Sequence, residues 1–248
     1  MNEFVGQNTR VKPTVQDMAR DLGLKRFLLG IYQKMALGLL VTGGMAWAVA
    51  HSPFLVTMLY NIQDGEIHGF TLLGWVFAFA PLGLSLASGL AMRNLNVGLM
   101  AMFYWLFVAV MGVSLASIFL MYTGVSLAST FFVTAAAFGA LSIAGYTTKI
   151  NMSGWGSFLM MAVFGLIAAS VVNIFMHSSM LSLAVAAAGV LIFSGLIAYR
   201  TQWLKEVYYQ LENNQTGLAA MTYYGALSLY ISFINLFLSI LRLMGGRR

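Results

Sequence analysis

Seven apolar runs, each near the length of a membrane-spanning helix, constrain the fold of this chain more than any other feature. A helix needs ~20 apolar residues to cross a bilayer. The runs are Phe27–Ala50, Phe70–Ala91, Val97–Tyr122, Ser126–Thr148, Gly154–Met176, Met180–Tyr199 and Gly217–Met244. Only 8% of the residues are charged, whereas a soluble domain carries about a quarter. The sequence therefore predicts an all-α membrane protein.

The links between the runs are short, so no soluble domain is inserted and residues 27–248 form one transmembrane domain. Residues 1–26 form a polar tail that carries charges of both signs. Within it, Thr14 followed by Asp17 is typical of a helix start. We expect a short helix at the membrane surface here, with a plain cytosolic tail as the alternative.

Links that contain basic residues alternate along the chain with links that contain none. The tail has five Lys and Arg residues, the link 51–69 has none, and the later basic links hold Arg93, Lys149, and Arg200 with Lys205. Cytoplasmic links of membrane proteins are enriched in Lys and Arg. The alternation predicts a cytoplasmic N-terminus, and it explains the net charge of +6 without nucleic-acid binding.

The last run leaves two topologies open. Its length favours a full span, giving seven crossings and placing Arg247 and Arg248 outside the cytoplasm. Its terminal charge favours a re-entrant segment after six crossings, which keeps both arginines inside.

The polar residues of the last run form a stripe. They follow one another at steps of four, three, four and three: Ser228, Ser232, Asn235, Ser239 and Arg242. On a helix this spacing places all five on one side. A helix that faces lipid has no use for such a stripe, so we expect this helix at the centre of a bundle.

The sequence offers little chemistry for catalysis. It contains no Cys, and its seven Asp and Glu residues all lie in links or in the tail, which disfavours a proton-relay pump. His51, His68 and His177 lie at run ends, where they could bind a metal together or sense pH; interfacial polar residues are the other interpretation. No metalloprotease, hydrolase or phosphate-binding motif is present, so we predict neither an enzyme nor a cofactor.

Three cations and one proline lie inside or at the ends of runs. Lys34 can reach the cytoplasmic side by snorkelling. Arg200 and Arg242 are functional candidates, with anchoring on the cytoplasmic side as the alternative. Pro81 is expected to kink the second run.

Several segments resemble the bacterial branch of the Bax inhibitor-1 family. They are GALSLYISFINLFLSILRLMG at 225–245, FSGLIAYRTQ at 193–202 and FFVTAAAFGALSIAGYTTKINMSGWGSFL at 131–159. The resemblance covers nearly the whole chain. It implies a bacterial inner-membrane protein, a seven-helix transmembrane bundle and a central last helix, and it favours the full span over the re-entrant segment.

The resemblance also implies a function. Bacterial members of the family are pH-sensitive calcium leaks gated by two aspartates, one closing span six and one inside span seven. This chain departs at both positions, because AYRTQ places Arg200 and LYISFINLF places Ser232 where the family has aspartate. Two acids that share a proton can sense pH, whereas Arg stays charged and Ser does not titrate.

Three hypotheses follow. In the first, the pH gate is lost and calcium leak is altered or abolished, with Arg200 donating hydrogen bonds to Ser232 and Asn235 as a latch between spans six and seven. In the second, the protein is a membrane-embedded partner or modulator of a membrane protease in stress response, with the tail as its contact. In the third, Arg200 and Arg242 line a path for anions.

Overall fold

The computed structural model describes residues 15–63, 66–91, 96–148 and 150–246, and these are mostly helical. The elements are α1 (Val15–His51), α2 (Pro53–Leu59), β1 (Tyr60–Gln63), β2 (Glu66–Phe70), α3 (Leu72–Ala91), α4 (Val97–Ser114), α5 (Ala116–Met121), α6 (Gly124–Thr147), α7 (Trp155–Met176), α8 (Ser179–Leu211) and α9 (Gln215–Met244).

Six segments of the described chain are long and apolar enough to cross a membrane. They are Leu22–His51 of α1, Val97–Met121 formed by α4 and α5, and the four helices α6 to α9. The second predicted run forms α3, whose apolar part, Leu72–Ser85, is shorter. All seven predicted runs are therefore helical, and six of them reach spanning length.

Helix α9 is the centre of the bundle, as its polar stripe predicted. It packs against α1, α4, α6 and α8, whereas α3 packs mainly on α4, and α7 packs on α8. The buried share of its most apolar stretch is 61%, against 33% or less in the other five span-length segments. Leu229, Tyr230 and Leu236 are fully buried at its middle.

The ends of α9 lie at opposite ends of the bundle. Next to its start, α8 ends beside α1, where the rings of Tyr208 and Phe27 are 5.6 Å apart; we name this the tail end. At its finish, the Gly246 amide donates to Ser126 Oγ at 3.0 Å, and the Thr123 amide donates to the Gly246 carbonyl at 3.3 Å. Because α6 also begins there, α9 runs the height of the bundle and does not turn back.

Two helices are longer than the apolar runs that predicted them. Helix α1 is continuous from Val15, so the residues expected to form a separate surface helix are its first turns. Residues 1–14 of the predicted tail lie outside the described residues. Helix α8 continues to Leu211, twelve residues past the predicted end at Tyr199. The polar ends of both helices pack on each other, which a hydropathy criterion does not detect.

The link 51–69 is structured and gives the bundle its second end, which we name the hairpin end. It contains α2 and the antiparallel pair β1–β2, in which Tyr60 lies opposite Phe70. The Tyr60 side chain is buried under the hairpin. Burial raises the pKa of Tyr60 despite an opposing hydrogen bond with Ser117, so the phenol stays protonated. The all-α prediction therefore missed one small hairpin.

Glycines allow close contact between helices only at particular positions. A Cβ at Gly145 of α6 would lie 2.4 Å from the Ala198 carbonyl oxygen of α8, so these backbones touch. Small residues permit such approaches in membrane bundles. Gly139, on the same helix, has nothing within 4 Å of a Cβ.

We expect Gly145→Ala to destabilise the bundle and Gly139→Ala to be neutral or slightly stabilising. The first substitution forces α6 and α8 apart, which costs roughly 1–3 kcal/mol in a packed interior. The second only replaces a flexible helical residue by alanine, which favours the helix. Thermal unfolding of both purified variants tests this. Equal melting temperatures would show that the α6–α8 contact is not needed for stability.

Candidate functional site

The polar stripe of α9 lies mostly inside the protein. Ser232 and Ser239 are buried, Ser228 and Asn235 are half-buried, and Arg242 is exposed at the hairpin end. A Cβ at Gly189 of α8 would lie 2.5 Å from Ser239 Oγ. The stripe is therefore packed against α8 at this level.

The hydrogen bonds of the stripe stay within α9. Ser232 Oγ donates to the Ser228 carbonyl at 3.0 Å, and Asn235 Nδ2 donates to the Ile231 carbonyl at 2.8 Å. Ser239 Oγ donates to the Asn235 carbonyl at 2.7 Å. These three donors are satisfied within their own helix, which lets this part of the stripe pack in an apolar interior.

Arg200 lies at the tail end of the seam between α8 and α9. Its guanidinium carbon is 5.9 Å from the centroid of the Trp203 ring. Trp203 in turn contacts Tyr224 of α9, with ring centroids 6.1 Å apart. Among the described residues, no hydrogen bond joins Arg200 to Ser232 or Asn235, so the suggested latch is not formed in this structure.

Helices α6 and α8 bring more hydroxyl groups into the interior. Thr134 donates to the Thr130 carbonyl at 2.7 Å, and Thr201 donates to the Ile197 carbonyl at 2.9 Å. Within the described part of the chain, the Ser142 hydroxyl is the buried side-chain polar atom that lacks a hydrogen-bond partner. An unpaired buried hydroxyl loses its hydration without compensation.

A second polar cluster, which sequence reasoning missed, joins α9 to α1 and α4. The Tyr104 hydroxyl donates to the Lys34 carbonyl at 2.6 Å, and Thr42 Oγ1 donates to the Val108 carbonyl at 3.1 Å. Thr42 Oγ1 is also 2.6 Å from the Tyr230 hydroxyl. We name Lys34, Thr42, Tyr104 and Tyr230 the α1–α4–α9 clamp.

The one sequence signal for this clamp was the i, i+4 spacing of Gly38 and Thr42 in the first run. Gly38 makes room for Tyr104, because a Cβ there would lie 2.2 Å from the Tyr104 hydroxyl oxygen. The Lys34 ammonium, expected to snorkel, lies 4.7 Å from the centroid of the Tyr223 ring. The tyrosines carried no local signal, since aromatic residues in an apolar run are ordinary.

An apolar groove of about 540 Å³ opens between α1 and α6. Phe233 of α9 contributes to its wall, next to Ser232 of the stripe. Met35, Leu39 and Gly43 form part of the α1 side, and Phe131 and Phe138 part of the α6 side. Its lining carries no charged side chain.

The predicted histidines do not form a metal site, because the described residues contain no group of three or more potential metal ligands. His51 is stacked on Trp47, with centroids 4.5 Å apart. His177 ends α7 in a left-handed conformation with φ of 50°. His68 is exposed in β2.

Among the described residues, the polar groups of the stripe and of the helices around it are hydroxyls, the Asn235 amide and the half-buried Arg200 guanidinium. In the complete sequence, no Asp or Glu lies between Glu66 and Glu206 or after Glu212. Glu206 is exposed on α8, beyond Arg200. This arrangement can bind polar groups through hydrogen bonds, but it lacks the anionic oxygens that calcium prefers.

Comparison with known proteins identifies the family. The sequence model described as Inhibitor of apoptosis-promoting Bax1 matches residues 24–248. This chain belongs to the Bax inhibitor-1 family. The match begins within α1 and includes all of the helices from α2 to α9.

Relatives extend over the full length of the chain. An uncharacterized protein of Caulobacter vibrioides is 51% identical over 100% of both chains. The inner membrane protein YbhL of Escherichia coli is 40% identical, again over 100% of both. A protein of Rickettsia prowazekii is 38% identical over 95% of each chain. The chain is thus an integral membrane protein of a bacterial type.

We expect Ser142→Ala to stabilise this family member, because it removes a buried hydroxyl that has no partner. The gain should be about 1 kcal/mol. The matched change Ser232→Ala should give no gain, because that hydroxyl is already bonded to its own helix. Thermal unfolding of both variants provides the measurement. A loss of stability in Ser142→Ala would instead indicate a bound water or another partner at this hydroxyl.

Proposed function

We propose that this protein is an inner-membrane Bax inhibitor-1 protein in which pH-gated calcium leak has been lost. The observation that carries the proposal is that Arg200 of α8 and Ser232 of α9 stand at the two positions where the family resemblance implies gate aspartates. The alternative is a membrane-embedded partner or modulator of a membrane protease in stress response.

Electrostatics supports the loss of pH gating. A pair of acids traps one proton because two negative charges at short range repel each other, and release of that proton changes the charge of the site. Arg200 remains positive at any physiological pH, and Ser232 remains neutral. The site therefore has the same charge in acid and in alkaline medium.

The same residues oppose calcium entry. Calcium binds six to eight oxygen ligands, preferably including carboxylates. The stripe offers hydroxyl and amide oxygens but no carboxylate. A half-buried guanidinium at the tail end of the seam adds a positive charge that repels a divalent cation.

We further propose seven crossings with the N-terminus in the cytoplasm. Helices α1 and α4 run in the same direction, since Lys34 contacts Tyr104 and Thr42 contacts Val108. The chain between them must therefore return across the bundle, and α3 is the helix available for that return. The Lys and Arg residues at the tail end of the bundle support a cytoplasmic location for that end.

Single cysteines test this topology, because the chain has no native Cys. In right-side-out membranes, a membrane-impermeant maleimide should label Asn61→Cys at the hairpin and Met244→Cys at the end of α9. Lys25→Cys at the tail end should be labelled only after permeabilisation. Labelling of Lys25→Cys together with Asn61→Cys, both before permeabilisation, would contradict the proposed orientation.

Calcium flux into proteoliposomes tests the function. The wild-type protein should give no difference in flux between about pH 6 and about pH 8, because no gate acid titrates in this range. The variant Arg200→Asp with Ser232→Asp should acquire a pH-dependent leak. Its control is Arg200→Asn with Ser232→Asn, which has the same side-chain shapes but cannot titrate.

The outcomes separate the candidate functions. An acid-dependent calcium leak in the wild-type protein would contradict the proposal. A leak in the double Asp variant alone would support a conducting scaffold that has lost its gate. If the folded double Asp variant stays silent, the scaffold does not conduct, and the protease-partner alternative becomes the better assignment.

A further inference from the structure

Two faces of α9 use their hydroxyl groups in different ways. On the stripe, Ser232 and Ser239 donate to carbonyls of α9 itself. On the face toward α1, the Tyr230 hydroxyl bonds to Thr42 of another helix. A bond within one helix does not restrict where that helix lies, whereas a bond between helices does.

The hydrogen bond between Tyr230 and Thr42 has a defined direction. Thr42 has one hydroxyl proton, which it donates to the Val108 carbonyl. Its oxygen must therefore accept the proton of Tyr230. One threonine thus connects α9 to α1 and α4 at once, and both of its hydrogen bonds are buried.

The clamp and the stripe lie on opposite sides of α9. Successive residues of an α-helix are rotated by about 100°. Tyr223 and Tyr230 are seven residues apart and share one side, and Ser232 is about 200° from Tyr230. Fixing Tyr230 on α1 therefore fixes the direction in which Ser232 points.

We propose that the α1–α4–α9 clamp sets the rotation of α9 about its own axis and so holds the stripe closed against α8. Release of the clamp lets α9 turn and brings Ser232 and Ser239 to water. The clamp is a conformational lock at a distance from Arg200. It does not depend on the proposed loss of calcium leak.

Other contacts of the clamp reinforce the same rotation. The Lys34 ammonium lies over the Tyr223 ring, on the Tyr230 side of α9. The Tyr104 ring contacts both Tyr223 and Tyr230, with centroids 6.1 Å and 6.5 Å apart. Tyr104 is held in turn by its bond to the Lys34 carbonyl. One side of α9 is thus fixed at Tyr223 and at Tyr230, which are about two helical turns apart.

The reactivity of a cysteine on the stripe measures the lock. Ser232→Cys introduces the sole thiol of the chain, and a small water-soluble thiosulfonate reacts only when that thiol reaches water. In the otherwise wild-type chain, the reaction should be much slower than at Asn61→Cys, an exposed site in the hairpin outside the membrane-spanning helices.

Substitutions in the clamp should accelerate this reaction. Tyr230→Phe removes one interhelical hydrogen bond, which should raise the rate at Ser232→Cys about threefold to tenfold, given the strength of such bonds in membranes. Thr42→Val keeps the side-chain shape but removes both bonds, so its effect should be larger. Thr42→Ser retains the hydroxyl and should restore the slow rate.

A matched control separates the lock from a general loss of packing. Thr134→Val removes a hydroxyl from another fully buried threonine, whose bond stays within α6. It should leave the rate at Ser232→Cys unchanged. The reference rate at Asn61→Cys should not change in any of these variants.

Three results would overturn the proposal. In the first, the rate at Ser232→Cys is the same with and without Tyr230→Phe and Thr42→Val, including the case in which none of these proteins reacts. In the second, Thr134→Val accelerates the reaction as much as Thr42→Val. In the third, the otherwise wild-type chain already reacts at Ser232→Cys as fast as at Asn61→Cys.

Discussion

Burial of α9 among four other helices is the constraint on which the rest of this structure depends. The interior of a membrane bundle has little water, so each buried polar group needs a partner within the protein. On the stripe the partners are carbonyls of α9 itself, and in the clamp they belong to α1 and α4. The first solution leaves α9 free to pack closely on α8. The second arrangement fixes its position. One face of α9 therefore keeps its hydrogen bonds within the helix, and the opposite face is hydrogen-bonded to α1.

The periphery of the bundle follows from this centre. Helix α7 packs on α8 and exposes large apolar side chains such as Phe164 and Phe175, which suit a bilayer. Helices in membranes associate through close packing and not through the hydrophobic effect, since lipid is as apolar as leucine. The glycine contacts between α6 and α8 serve that packing. Between α1 and α6 the packing is incomplete, and the groove beside Phe233 remains.

The α8–α9 seam carries a guanidinium at Arg200 and a neutral hydroxyl at Ser232. A carboxylate pair would make this seam respond to pH, whereas Arg200 and Ser232 leave its charge constant. Arg200 is accommodated by the face of Trp203, an arrangement that partly compensates a cation near an apolar medium. The rotation of α9 is the movement that the positions of the clamp and the stripe favour.

The sequence by itself determined the membrane class, the positions of the apolar runs, the central position of the last helix and the family. Bilayer thickness sets run length and helical periodicity sets the stripe, and both are local signals. The continuity of the predicted N-terminal helix with the first span, the extension of α8 and the hairpin were missed, because their stability comes from contacts between segments distant in the chain. Only the tertiary structure decided that Arg200 does not bond Ser232, and that Thr42 meets Tyr230. Those last two residues are 188 positions apart, and no local pattern encodes which hydroxyl a buried hydroxyl will find.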